Sequence, residues 1–231
     1  MPVEQWLAPF RNPLDLAGFA LFVLVFPVYH GIYPYLMRIF PNQAAKTRMD
    51  LFRRSWIEGL LERRDYLLAA QQTRNLTMVN SLLASSALIL MGVTANMLLN
   101  LPQVSTDLAE VRTWAMRPEL VSGKLLLLIT VFGVAFAYCM NSLRHLGHFN
   151  LVIGADPAVL DAEEGSSVDY FATLINRASN RYTLGVRCLY SASPLFLWLF
   201  DTRLFIGLTL FWGIKFIGFQ DFAHVLRGRR R

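Results

Sequence analysis

Long apolar runs alternate along this chain with shorter amphipathic stretches that carry arginine. A bilayer core is crossed by about 20 mostly apolar helical residues. Five runs approach that length: 14–37, 76–99, 120–142, 184–200 and 204–222. The first is led in by Asn12-Pro13-Leu14-Asp15. Proline early in a helix and an acid in its first turn are start signals. Pro27 and Pro34 are expected to kink its far end. No small-residue cleavage site follows the run, which is therefore read as a retained helix. The last two runs are short, and Asp201-Thr202-Arg203 turns between them. Four spans with a re-entrant or kinked C-terminal hairpin therefore stand beside five.

Two stretches have helical period without a continuous apolar run. In 45–72, Met49, Phe52, Trp56, Leu60 and Leu67 recur among basic residues. A second such segment covers 167–183. Both read as amphipathic helices on the membrane surface or packed under the bundle. The expected fold is all-α: one polytopic transmembrane helix bundle over residues 1–231, with about five spans and two cytoplasmic amphipathic segments. No internal repeat supports an inverted-repeat transporter.

Composition agrees with this pattern. The chain is 55% hydrophobic and 16% charged, against roughly 25% charged in a soluble domain. A net charge of +6 would suggest nucleic acid in a soluble protein. Here the basic residues flank apolar runs, so the expected partner is the bilayer, including anionic lipid, and not nucleic acid. Sixteen of the 22 basic residues fall in 38–75, 143–187 and 223–231, and only Arg11, Arg112, Arg117 and Arg203 fall on the other side. The positive-inside rule then puts the N-terminus outside and the C-terminus in the cytoplasm of an inner (plasma) membrane. Cys139 and Cys188 form no C-x-x-C pair and read as small packing residues.

Two helix faces stand out as seams. Thr130, Gly133, Ala137, Asn141, Arg144 and His148 share one face of the third run, small residues first and polar ones after. Ser81, Ser85, Gly92 and Asn96 make another on the second. Small residues allow close helix approach, and polar groups at membrane depth tend to be functional. The histidines His30, His145, His148 and His224 all fall toward the cytoplasmic side, with Arg187, Asp221 and the deeper Lys215. Three readings stay open: interfacial groups capping helix ends, a basic pocket for an anionic ligand or lipid headgroup, and a haem or metal site on the histidines. His145 and His148 have a usable ligand spacing, yet no carboxylate partner or zinc motif accompanies them. No nucleophile elbow, phosphate loop or paired intramembrane carboxylate is present. No catalytic residue is named, an enzyme is not favoured, and no cofactor is expected outside the haem or metal alternative.

Residues 53–90 carry a more specific signal. Arg53-Arg54-Ser55-Trp56-Ile57, the run Asp65 to Met78 and the run Leu82 to Leu90 resemble the core signature of domain of unknown function 599, an uncharacterised membrane family. Tyr29-His30, Asn141-Ser142-Leu143-Arg144 and Gly185-Val186-Arg187 are similar to its pattern as well. The similarity runs from about residue 14 to 225, and its most distinctive part is Gln71-x-x-Arg74-Asn75. His145 departs from it, standing where glutamine is usual, which weakens a metal role there. The resemblance implies a polytopic membrane protein of bacterial type with relatives in plants, and implies no activity. It adds Gln71, Arg74 and Asn75 to the residues of interest.

The expectation is a bundle whose cytoplasmic half holds a basic polar pocket formed by His30, Gln71, Arg74, Asn75, Asn141, Arg144, Arg187, Lys215 and Asp221. It would serve a transporter or channel for a small anionic solute, or a lipid-binding protein. The alternatives are a haem- or metal-binding membrane protein, and a structural or accessory subunit that forms a homo-oligomer or docks a partner.

Overall fold

The computed structural model describes residues 13–32, 45–103, 106 and 118–216. The remainder of the first and fifth runs (33–37 and 217–222), most of the loop near 104–117, Asp221, His224 and the arginine tail lie outside the described residues. The architecture is all-α, with no strand among the described residues. Helix α1 spans Pro13–Val23 and continues through a π-turn, Leu24–Val28, to residue 32. The others are α2 (Ala45–Arg63), α3 (Tyr66–Leu99), α4 (Pro118–Val152), α5 (Pro157–Glu164), α6 (Ser167–Leu197) and α7 (Thr202–Ile214).

Three of these are long and apolar enough to cross a membrane: Pro13–Ile32, Tyr66–Leu99 and Val121–Val152. Thr202–Ile214 is apolar but shorter. The expected fourth span is only the C-terminal part of α6, one continuous helix that also carries Arg177, Arg181 and Arg187. The segment expected as one amphipathic helix over 45–72 is divided. Arg64 adopts φ 55°, α2 stops, and Asp65 caps α3 by accepting the Leu68 amide at 3.2 Å. An aspartate side chain competes for backbone donors in this way, so the sequence restarts a helix where periodicity alone ran on. The second amphipathic segment runs on into the fourth apolar run as one helix, Ser167–Leu197, with Pro194 inside it.

The short helices have clear local causes. Asp156 accepts from the Ala158 amide, Pro157 occupies the first turn, and Gly165 closes α5 at φ 82°. That left-handed conformation suits glycine. Ser166 then caps α6 and Asp201 caps α7.

Helix α4 is the axis of the molecule, packed most extensively on α6 and then on α3. Two hydrophobic cores lie along it. One joins α1, α4, α6 and α7 through Phe22, Leu125, Leu128, Leu195, Trp198 and Phe205. The other joins α2 to the extended ends of α3, α4 and α6 through Ile57, Leu60, Leu146, Phe149 and Phe171. Burying such a side chain from water is worth about 1.5–3 kcal/mol, so this lobe is a packed unit. Polar bonds orient α2 on α6: Arg53 donates to Asn176 and Ser179 as well as to Asp50, and Arg54 pairs with Asp169. Asn80, fully buried on α3, donates to the Cys139 carbonyl of α4 at 3.3 Å.

The opposite end of the bundle is tied by a knot around Trp198. Its indole donates to Asp15 of α1 at 2.8 Å, and Thr202 donates to the same carboxylate. Lys124 of α4, 6% exposed, donates to the Trp198 carbonyl at 2.8 Å and lies 4.6 Å from its ring centroid. Four helices meet through these groups.

Candidate functional site

A cleft of about 580 Å³ opens between α1, α4 and α6. Its α1 wall is Phe19, Phe22, Phe26 and His30, its α4 wall Leu127, Thr130, Val134 and Tyr138, and its α6 wall Leu184, Arg187, Cys188 and Ser191. The α4 wall from Leu127 to Tyr138 is about 16 Å long at 1.5 Å per residue. The lining is chiefly aromatic and aliphatic, with Arg187 and His30 toward the end that carries α2. Such a volume and such a lining suit a small-molecule site.

The α1 wall owes its shape to Pro27. Proline has no N–H to continue the α-ladder, and the helix dilates so that the Tyr29 amide reaches the Leu24 carbonyl. One turn on, His30 Nδ1 lies 2.6 Å from the Phe26 carbonyl. A carbonyl only accepts, so in this contact Nδ1 carries the proton. The ring packs edge-on to Phe216 at 5.7 Å.

Arg187 is 7% exposed, and its guanidinium lies 5.2 Å from the centroid of the same Phe216 ring. A desolvated cation over an aromatic face gains about 2 kcal/mol. Fully buried Phe216 is thus a shared wall behind both basic groups. Gly185, one turn before Cys188, brings α6 against α4: a β-carbon there would sit 2.8 Å from Cys139 Sγ.

The structure gathers part of the expected pocket. His30 and Arg187 line the cleft. Lys215 does not. Its ammonium lies 4.5 Å from the Trp212 ring and 5.6 Å from Tyr190, whose rings stack at 4.4 Å. Gln71, Arg74 and Asn75 on α3, and Asn141, Arg144 and His148 on α4, are exposed on the outside of the bundle, and His145 is half-buried beside them. Asp221 and His224 lie outside the described residues. Among the described residues, no three His, Cys, Asp or Glu side chains are placed to hold a metal ion.

The two seams also face outward. Ser81, Ser85, Gly92 and Asn96 are exposed, as are Ala137 and Asn141, while Thr130 borders the cleft and Gly133 faces Met91. Helix α3 instead buries Thr73, Asn80, Ala84, Ala87 and Thr94. Both stripes of α3 are small and helically spaced, so period alone did not decide between them. Sequence reasoning missed the aromatic backing by Phe216 and the bond from buried Lys124 to the Trp198 carbonyl. The signal available for the first was the cluster of phenylalanines in both terminal runs.

No curated protein and no solved structure matches the chain. The family described as protein of unknown function, DUF599, matches over residues 17–224, which takes in all three walls of the cleft, and the chain belongs to that family.

Proposed function

We propose that this chain is an integral membrane protein of the inner (plasma) membrane that binds an anionic amphiphile in the cleft between α1, α4 and α6. The observation that carries the reading is an apolar cleft of about 580 Å³ with buried Arg187 and half-buried His30 in its lining. An acyl or isoprenoid chain fits the phenylalanine and leucine walls, and the positive charge of Arg187 draws an anionic group toward that end of the cleft. A hydrated solute needs polar groups along its path, so the apolar lining favours a lipid-like ligand over permeation by a small anion. The excess of basic residues at the α2 end supports a cytoplasmic orientation for that end.

The test is lipid analysis of protein purified from membranes in mild detergent, with Val134→Trp as the comparison. Val134 is 42% exposed on the rim of the cleft, so the indole fills the cleft without disturbing a core. Wild type is expected to carry a stoichiometric amphiphile that Val134→Trp lacks. Equal lipid content in both would overturn the reading.

The outward polar faces support a second reading, in which α3 and α4 dock another spanning helix, from a second copy or a partner. Helix α3 rests chiefly on α4 and presents Ser81, Ser85 and Asn96 where lipid would otherwise meet them. Asn96→Leu combined with Ser85→Leu is expected to change the oligomer mass measured by light scattering. An unchanged mass would sink that reading.

A further inference from the structure

Beyond the Tyr138 end of the cleft, α6 carries two exposed arginines, Arg181 and Arg177. Leu184 and Tyr138 form the last apolar rung. Arg181 lies about 5 Å beyond Leu184 along α6, with its guanidinium 5.8 Å from the centroid of the Tyr138 ring. Arg177 follows one turn further on. On α4 the half-buried His145 lies within reach of the charges of Arg177 and Arg181 as well as of Arg144 and His148 on its own helix. Arg144, Arg177, Arg181 and His148 are exposed. Among the described residues the ion pairs are Arg53–Asp50, Arg54–Glu58 and Arg54–Asp169, so these arginines stand as uncompensated positive charge.

Like charges on neighbouring turns repel. Here Arg181 adjoins an apolar cleft through the Tyr138 ring, and arginine forks match phosphate oxygens in charge and geometry. We propose that Arg177 and Arg181, with His145 of α4 nearby, form the headgroup site for the phosphodiester of an anionic membrane phospholipid whose chain enters the cleft past Tyr138. This rests on the cleft reading above and names the ligand class and the residues that select it. Arg187, a turn deeper than Leu184, then lines the chain region and is shielded by Phe216, and the exposed pair reads the head.

The experiment is native mass spectrometry of the full chain released from nanodiscs containing equal amounts of phosphatidylglycerol and phosphatidylcholine. Wild type is expected to retain phosphatidylglycerol preferentially. For Arg177→Gln/Arg181→Gln the preference should fall about 30-fold, at about 1 kcal/mol for each arginine near a phosphate. An undiminished preference in the double variant, with lipid lost from Val134→Trp, overturns the headgroup assignment and leaves the cleft reading standing. Lipid retained by Val134→Trp overturns the cleft reading itself. In a third arm inorganic phosphate is added to wild type. Displacement of phosphatidylglycerol at millimolar phosphate would mark the site as one for a soluble anion and overturn the lipid assignment. No displacement supports it. A melting temperature within a few degrees of wild type shows that the double variant has folded.

Discussion

Replacing Gly185 with alanine tests how closely α4 and α6 are set, and with them two walls of the cleft. The new β-carbon would meet Cys139 Sγ at 2.8 Å, with the Ala135 carbonyl at 3.4 Å and the Cys139 amide nitrogen at 3.5 Å. Cys139 is fully buried, so its sulfur has no open space to retreat into. Overpacking of this kind costs about 1–3 kcal/mol, and the better helix propensity of alanine offsets about 1 kcal/mol. Gly185→Ala should therefore be destabilised by up to about 2 kcal/mol. Cys139→Ala removes the clashing atom and leaves neighbours at ordinary contact distance. In the double variant the overpacking disappears, and the two substitutions should couple favourably by about 1–3 kcal/mol. Unfolding in mixed micelles titrated with a denaturing detergent, followed by tryptophan fluorescence, measures all four corners of the cycle. Additivity within about 0.5 kcal/mol would refute the close approach.

Two further perturbations probe the ends of the bundle. Asp15→Ala strips the acceptor from the Trp198 indole and the Thr202 hydroxyl. Bonds to a charged group are worth about 1.5–3 kcal/mol each, so a loss of several degrees in melting temperature is expected, and an unchanged value would count against the knot. Asp50, at the other end, has its carboxyl pushed above the usual carboxylate range by burial, against the pull of Lys46 and Arg53. The folded state therefore disfavours the ionised form. Stability relative to Asp50→Asn should be higher near pH 4 and should fall as pH rises through the raised value. Melting curves of both proteins at pH 4 and pH 7 check the sign, and the opposite trend would refute it.

The sequence by itself determined the all-α class, the existence of the long apolar helices and the uneven distribution of basic residues. These depend on local composition and on a period of 3.6, which need no partner to be read. Caps were equally local: Asp65, Ser166 and Asp201 act within three residues of themselves. His30 and Arg187 were legible because strongly polar groups stand out in apolar runs. Tertiary structure decided which face of each helix turns inward. On α3 the Ser81 and Asn80 stripes have similar content, and only contact with α4 buries one of them. It also separated the eight described residues of the nine expected to form one pocket. His30 and Arg187 share the Phe216 wall, Gln71, Arg74, Asn75, Asn141 and Arg144 lie on the exposed surface, and Lys215 sits among rings of its own. Depth in a bilayer can be counted along a chain, but direction around a helix axis is set by the neighbour it packs against. For this reason Arg181 of α6 and Tyr138 of α4, more than forty residues apart in sequence, meet only because these two helices pack together.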